Sequence, residues 1–150
     1  MAVDVTTTVI IERPREAVAS YSADPGRAPQ WYVNIASVRW ETEPGVHEGA
    51  RATFVARFLG RTLEYTYEIV ELTPGERLVM RTAAGPFPME TIYEWEDTPD
   101  GATRMTLRNR GEPEGFIALA APLMAAAMRR ANRKDLARLK SILEGRLPAQ

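Results

Sequence analysis

Turn-forming residues recur at strand-length intervals along most of this chain, and their spacing limits the possible folds more than any other feature. From residue 33 onward the turn signals are Pro44-Gly45, Gly60, Pro74-Gly75, Gly85-Pro86 and Pro99-Asp100-Gly101. Such residues favour the backbone conformations of tight turns. They separate six segments of strand-like composition, at about Val33–Glu43, Ala50–Leu59, Thr62–Leu72, Arg77–Ala83, Met89–Asp97 and Thr103–Arg110. Because the connections are short, successive strands are predicted to pair antiparallel, as a meander.

The N-terminal part of the chain predicts one more strand and two short helices. Apolar and polar residues alternate from Val3 to Glu12, which is typical of a strand with one buried face. Arg13-Pro14 ends this strand, and Arg15–Ser22 has the apolar spacing of an amphipathic helix. Asp24-Pro25-Gly26 ends that helix, and Arg27–Trp31 is predicted to add one further turn.

Charged residues predict which face of the sheet meets solvent. Hairpins centred near Gly60, Gly75 and Asp100 would place opposite charges across from each other on one face. The predicted pairs are Arg57 with Glu64, Glu68 with Arg81, Glu94 with Arg104, and Glu90 with Arg108. The other face is mostly apolar and needs a cover. It consists of Phe54, Ala56, Phe58, Leu63, Tyr65, Tyr67, Ile69, Leu78, Met80, Thr91, Tyr93, Trp95, Met105, Leu107 and Asn109.

The C-terminal segment, residues 116–143, predicts the helix that covers this face. Its apolar stripe includes Ala121, Met124, Met128, Asn132, Leu136, Leu139 and Leu143. Pro122 lacks a backbone N–H, so the helix begins or bends there. The predicted fold class is α+β: a β-α-α-β6-α chain in which a seven-stranded curved antiparallel sheet wraps around a long C-terminal helix.

Composition narrows the function classes. The 150 residues suit a single domain, and the net charge of -1 provides no field to attract nucleic acid or an anionic membrane. The apolar stretch Phe116–Met128 is too short to cross a bilayer, and the N-terminus has no secretory pattern, so we expect a cytoplasmic protein without membrane insertion. The cluster Arg129-Arg130 and Arg133-Lys134 is interpreted as the solvated side of the last helix. The abundant arginine, alanine and proline indicate a bacterial source.

Few residues suggest metal or nucleophilic chemistry. The chain has no cysteine, and its one histidine, His47, lies in a predicted exposed turn. A transition-metal site would therefore depend on carboxylates alone, and no metal or other cofactor is predicted. The sequence also contains no Ser-His-Asp arrangement worth pursuing and no glycine-rich phosphate loop.

Three segments carry a family resemblance: Val9–Val18 (VIIERPREAV), Ile69–Leu78 (IVELTPGERL) and Asp135–Glu144 (DLARLKSILE). With the order of elements, they resemble the helix-grip fold shared by START domains, the birch-pollen-allergen family and polyketide cyclases, and most closely its bacterial polyketide cyclase/dehydrase group. The resemblance covers essentially the whole chain and implies a cavity between sheet and helix for a lipid, sterol, polyketide or hormone-like molecule. Its motifs belong to the scaffold and include no catalytic signature.

The meander predicts where this cavity opens. Alternate connections gather at one end of the sheet, which places residues 59–61, 84–88 and 110–116 together. The predicted entrance therefore passes Gly60, Phe87 and Gly111. Trp31 is expected to cap the pocket from the side of the short helices.

The candidate site residues come from the inner face and the helix stripe. Those expected to contact a ligand are Trp31, Phe54, Phe58, Tyr65, Tyr67, Met80, Phe87, Thr91, Tyr93, Asn109, Met124, Met128 and Asn132. The main hypothesis is a binding protein for a small hydrophobic molecule, as a monomer or homodimer. An alternative is a polyketide cyclase, aromatase or dehydratase, with Tyr65, Tyr67, Asn109 and Asp135 as candidate catalytic groups. A third is an interaction module whose interior is filled by side chains.

Overall fold

A computed structural model of the protein describes residues 3–113 and 119–147. The chain begins with strand β1 (Val3–Ile11), followed by helix α1 (Arg15–Ser22), a 3-10 turn (Pro25–Arg27) and the short helix α2 (Ala28–Trp31). Six strands come next: β2 (Ile35–Trp40), β3 (Arg51–Phe58), β4 (Arg61–Thr73), β5 (Arg77–Ala84), β6 (Met89–Asp97) and β7 (Thr103–Gly111). Helix α3 (Ala121–Leu143) ends the fold.

The strands form one antiparallel sheet in the order β1-β7-β6-β5-β4-β3-β2. Strands β2 to β7 are therefore the predicted meander, and β1 pairs with β7 at the far side. This confirms the predicted α+β class and the β-α-α-β6-α order. Helix α3 contains Pro122 in its first turn, where proline is tolerated, and Gly145 (φ +79°) follows its last residues. Residues 116–118 of the predicted helix lie outside the described residues.

Strand β2 is shorter than predicted. The sequence indicated Val33–Glu43, whereas the strand covers Ile35–Trp40. Val33 precedes it because its backbone N–H donates a 2.8 Å hydrogen bond to Oδ1 of Asp135 on α3 instead of joining the sheet. The connection between α2 and β2 is thus attached to the helix.

The register prediction was wrong at two hairpins. Arg57 lies opposite Thr62, not Glu64, because a two-residue turn at Leu59 (φ +51°) and Gly60 (φ +75°) closes β3 onto β4. Between β6 and β7 the loop is longer than assumed, with the Thr98 N–H bonded to the Ala102 carbonyl. As a result Glu96, not Glu94, lies opposite Arg104.

The same longer loop places Glu90 opposite Arg110 rather than Arg108. Only the predicted pair of Glu68 with Arg81 is confirmed. Each shift is two residues, so the predicted face of every side chain is preserved. The outer face does carry ion pairs, such as Arg81 with Glu90 at 2.7 Å and Arg77 with Glu94 at 2.7 Å.

The core lies between the sheet and α3, and its buried residues within the described ranges form three apolar clusters. The largest joins Leu136 and Leu139 of α3 to Ile11, Leu78 and Met105. Each of these leucines stabilises the fold by about 1.5–3 kcal/mol through burial. A second cluster contains Tyr65, Phe87, Met89 and Met124, and a third surrounds Phe54. Residues of all three clusters line one internal space.

Candidate functional site

The internal space is a cavity of about 150 Å³ between the inner face of the sheet and α3. Strands β2 to β7, the α2–β2 connection and α3 all contribute to its walls. Its lining consists of Tyr32, Asn34, Ile35, Phe54, Ala56, Phe58, Leu63, Tyr65, Tyr67, Met80, Phe87, Met89, Thr91, Tyr93, Asn109, Met124, Met128, Ala131, Asn132 and Asp135. Apolar protein cavities of about this size hold molecules such as benzene.

Aromatic rings and thioethers form the apolar walls. Phe54 meets Tyr67 edge-on at 5.5 Å between ring centroids, and Tyr65 meets Phe87 edge-on at 6.0 Å. Such contacts fix the rings in place. The methionines, including Met124 and Met128, have unbranched side chains that repack around differently shaped molecules. The cavity therefore combines rigid and adjustable surfaces.

The sheet side of the cavity also carries a polar pair. Thr91 on β6 and Asn109 on β7 are direct neighbours, and Thr91 Oγ1 donates a 2.7 Å hydrogen bond to Asn109 Oδ1. Burial raises the pKa of Tyr67, and a side-chain hydrogen bond with Thr91 opposes that rise. Burial also raises the pKa of Tyr65 to about 12. Both phenols are neutral near pH 7 and act as hydrogen-bonding groups rather than bases.

A pair of tyrosines lies near the helix. The hydroxyl oxygens of Tyr32 and Tyr93 are 2.5 Å apart and share a hydrogen bond. Burial raises the pKa of each phenol above its usual value, and the neighbouring tyrosine adds to this for Tyr32. The Tyr32 ring stacks on Trp31 with 4.0 Å between centroids. This stack holds the pair in position.

Asp135 is a carboxyl group on the cavity wall that is only 2% exposed. Burial raises its pKa to about 7, and the hydrogen bond from the Val33 N–H acts in the opposite direction. Among residues 3–113 and 119–147, no cation forms a salt bridge with it. Near neutral pH the group is therefore present in both protonation states, as an acid or base requires.

Asn132 lies one turn before Asp135 on α3 and is 3% exposed. Within the part of the chain that the structure describes, its Nδ2 has no hydrogen-bond partner. A buried donor without a partner costs about 1–3 kcal/mol. Residues three positions apart share a helix face, so the side chains of Asn132 and Asp135 lie on the same side of the cavity.

The structure places the predicted ligand contacts on the cavity wall, with one exception. Trp31 is fully buried in the core beneath Tyr32, so it does not cap the pocket. Trp31 is the last residue of α2 and packs in the core, whereas the backbone becomes extended at Tyr32, which lies on the wall instead. All four catalytic candidates, Tyr65, Tyr67, Asn109 and Asp135, do line the cavity. Asp135 accepts a hydrogen bond from a backbone N–H and forms no salt bridge with an arginine in the described part.

Several lining residues were not singled out from the sequence. Ala56, Leu63 and Met89 belong to the expected inner face or apolar lining and were detectable by alternation. Tyr32 and Asn34 come from the α2–β2 connection, whose path no local pattern reveals, and Ile35 is the first residue of β2. Ala131 precedes Asn132 and lies at the edge of the helix stripe.

A groove next to the cavity is the candidate entrance. It is lined by Val33, Asn34, Arg57, Phe58, Leu59, Ala127, Arg130, Ala131 and Lys134, and it shares Asn34, Phe58 and Ala131 with the cavity. It adjoins Gly60, one of the predicted entrance residues. Phe87 and Gly111 are instead buried and lie next to each other, and only Phe87 belongs to the described lining. Residues 114–116 of the predicted entrance lie outside the described residues.

The remaining candidates lie away from the cavity. His47 is exposed in a turn, and its Nδ1 is 3.0 Å from the Glu48 carbonyl oxygen. The described residues contain no group of three His, Cys, Asp or Glu side chains arranged for a metal ion. Arg129, Arg130, Arg133 and Lys134 are exposed, as predicted. Among the helices in the described ranges, none has the length and apolar character needed to cross a bilayer.

A curved antiparallel sheet that holds one long C-terminal helix, with a cavity between them, defines the helix-grip class of proteins. Within that class, the model of the family described as "Polyketide cyclase / dehydrase and lipid transport" matches residues 2–144, so the chain belongs to this family. The comparison with curated proteins yields no match.

Solved structures of the same fold come from several bacteria. A protein of Thermus thermophilus has a TM-score of 0.81 at 19% identity, over 95% of this chain and 97% of that chain. The Zhui aromatase/cyclase of a Streptomyces species has a TM-score of 0.79 at 18% identity, over 95% and 94% of the two chains. A START superfamily protein from Mycobacterium smegmatis has a TM-score of 0.71 at 16% identity, over 95% of each chain. At these identities the likeness shows the fold alone.

Proposed function

We propose that this protein binds a small, largely apolar molecule in the cavity between its sheet and α3. The observation that carries the proposal is a space of about 150 Å³ with apolar walls and a few polar groups. Ligand sites in proteins typically have this composition, with polar side chains that fix orientation. The aromatic rings of the inner face surround this space without filling it. The space therefore favours ligand binding over the alternative of an interaction module with a filled interior.

The walls indicate the size and shape of the ligand. A single ring, with or without a short substituent, matches the volume of the cavity. Met124 and Met128 lie on the helix side, and rotation of their side chains extends the space for a somewhat longer molecule. The family description, which includes lipid transport, and the aromatase/cyclase among the structural neighbours agree with an apolar ligand.

The proposal is tested by filling the cavity. Ala131→Leu adds bulk to a residue that lines the cavity and its entrance, whereas Ala126→Leu makes the same change at an exposed position of the same helix. Binding of benzene, indole and naphthalene is followed by NMR titration of the native protein. We expect at least one of these probes to bind the wild type and Ala126→Leu alike, and to bind Ala131→Leu at least tenfold more weakly.

Two results would contradict it. One is that no probe, and no molecule extracted from the purified protein with organic solvent, binds the wild type. The other is that Ala131→Leu binds a probe as tightly as the Ala126→Leu control does.

A second candidate function is acid–base catalysis on a carbonyl compound, as in a polyketide cyclase or dehydratase. It is favoured by Asp135, a buried carboxyl group beside the neutral phenols of Tyr32 and Tyr93. In this reaction Asp135 removes a proton from a carbon between two carbonyl groups. The enolate attacks a third carbonyl, and the new alkoxide takes the proton back from Asp135.

Turnover separates the two functions. With a short poly-β-ketone as substrate, Asp135→Asn is expected to reduce kcat more than tenfold and to leave substrate affinity nearly unchanged. A wild-type protein that binds the compound without converting it would leave binding as the only function.

A further inference from the structure

We propose that Asn132 and Asp135 form a recognition site for the carbonyl oxygen of a ligand, so that the protein selects neutral apolar molecules carrying a ketone, ester or amide group. The inference rests on the proposed binding function and adds the chemical class of the ligand. It starts from Asn132, whose side chain is nine-tenths or more buried and whose Nδ2 has no partner among the described residues.

The position of Asn132 indicates what completes its hydrogen bonding. Its side chain lines the cavity, and rotation of the terminal amide brings the unpaired N–H donor within reach of a bound molecule. An apolar ligand without an acceptor would leave this donor buried and unsatisfied, at a cost of about 1–3 kcal/mol. A ligand oxygen removes that cost. The site therefore favours a ligand with an acceptor at this end.

Asp135 supplies a second hydrogen-bonding group on the same side. One of its oxygens, Oδ1, accepts from the Val33 N–H, and no other hydrogen bond to the carboxyl group is present among the described residues. In its protonated form the carboxylic acid can donate to the second lone pair of a carbonyl oxygen. Burial, which raises the pKa of Asp135 to about 7, keeps much of the group protonated at neutral pH.

The protonation state of Asp135 determines the charge at this end of the cavity. Tyr93 on β6 and Tyr32 before β2 face it, and burial holds both phenols neutral by raising their pKa values. Its helix neighbour Lys134 is exposed at the groove, and Arg138 donates to the Gln30 carbonyl. Ionised Asp135 therefore repels a carbonyl oxygen without compensation, and carbonyl binding weakens as pH rises through 7.

The same surroundings exclude a carboxylate ligand. None of the described lining residues is an arginine, lysine or histidine, so a negative head group inside the cavity would face Asp135 without a counter-ion. A free fatty acid is disfavoured for this reason. A neutral carbonyl compound fits both the unpaired amide donor and the absence of basic side chains in the described lining.

Two probes of equal shape test the inference: acetophenone and α-methylstyrene, in which a methylene group replaces the carbonyl oxygen. Their affinities are measured for the wild type and for Asn132→Leu, which keeps the side-chain size and removes the donor. Ala126→Leu, a change at an exposed position of the same helix, is the control. We expect Asn132→Leu to lower the ratio of acetophenone to α-methylstyrene affinity about tenfold. Ala126→Leu should leave this ratio unchanged.

A direct measurement covers the case in which Asn132→Leu does not fold. In 15N-labelled wild-type protein, the Asn132 side-chain amide protons should shift downfield with acetophenone and much less with α-methylstyrene. If both probes bind but the ratio and the amide shifts do not distinguish them, carbonyl recognition is overturned and the binding function stands. If neither probe binds, the proposed binding function fails as well.

Discussion

Oδ1 of Asp135 on α3 accepts a 2.8 Å hydrogen bond from the backbone N–H of Val33. The bond joins residues that are far apart in the sequence and attaches the α2–β2 connection to the last helix. It also fixes the carboxyl group on the cavity wall, beside Tyr32 and Tyr93. One structural contact thus determines both the shape of the cavity and the position of its ionisable group.

Asp135 should make the protein less stable as pH rises from about 4 to about 7. Its pKa is raised from 3.8 to about 7 by burial, so the folded state binds more protons than the unfolded state in this window. Where the folded state binds more protons than the unfolded state, the free energy of unfolding falls as pH increases. The full effect of such a shift is at most about 4 kcal/mol.

Urea unfolding of the wild type and Asp135→Asn at pH 4.5 and pH 8 measures this effect. The amide keeps an oxygen for the Val33 N–H but does not ionise. We expect the wild type to lose stability relative to Asp135→Asn at the higher pH. Asp97→Asn, at an exposed position, is the control. A difference between wild type and Asp135→Asn that does not change with pH would contradict the prediction.

The hydrogen bond between Tyr32 and Tyr93 should be measurable as a coupling energy in a double-mutant cycle. Either Tyr32→Phe or Tyr93→Phe alone leaves one buried hydroxyl without its partner and should destabilise the protein by about 1–2 kcal/mol. The double variant removes both hydroxyl groups and should lose less than the sum of the two single changes, by about 1 kcal/mol. Denaturant unfolding of the four proteins measures this. Strict additivity would show that the two hydroxyl groups do not interact in solution.

The sequence predicts the strands well because their signals are local. Alternation of polar and apolar residues assigns the face of each side chain, and Gly60, Gly75 and Gly101 mark turns within a residue or two. Register is harder, since Leu59 adopts a left-handed conformation (φ +51°) that a leucine gives no reason to expect. The sequence therefore centres this turn one residue too late. The partner it predicts for Arg57 is two residues away from the one observed.

The candidate site is predictable only where it uses those same signals. Inner-face residues such as Tyr67 and Thr91 follow from alternation. Whether Trp31 or Tyr32 reaches the cavity depends on the turn after α2, which no periodicity describes. The partner of Asp135 is a backbone group of a distant connection, and the pKa of Asp135 is raised by its burial in the folded chain. Such long-range features need the folded arrangement.

Two glycines that lie behind side chains of the cavity wall should differ in their tolerance of a methyl group. A Cβ at Gly85 would lie 2.5 Å from Cδ1 of the Tyr65 ring, which is held by Phe87. A Cβ at Gly111 would lie 2.5 Å from the Met89 sulfur, near the end of a flexible side chain. Gly85→Ala should therefore cost about 1–3 kcal/mol, and Gly111→Ala clearly less. Thermal unfolding compares the two variants, and equal losses would contradict the packing argument.

The turn between β3 and β4 offers a stabilising change at the candidate entrance. Leu59 (φ +51°) and Gly60 (φ +75°) form a turn in which both central residues are left-handed, and asparagine is favoured over leucine at the first position. Leu59 is also 51% exposed, so its replacement sacrifices little packing. Leu59→Asn should raise the free energy of unfolding by about 0.5–1 kcal/mol, an increment typical of relieved backbone strain.

Leu59→Val is the matched control, because a β-branched side chain is more strained than leucine in the left-handed region. We expect Leu59→Asn to be the most stable of the three proteins, the wild type to be intermediate and Leu59→Val to be the least stable, as measured by urea unfolding at one pH. Since all three proteins retain Gly60 and the surrounding sheet, the order reports on the conformation of one residue. A Leu59→Val variant as stable as Leu59→Asn would mean that Leu59 is not left-handed in solution.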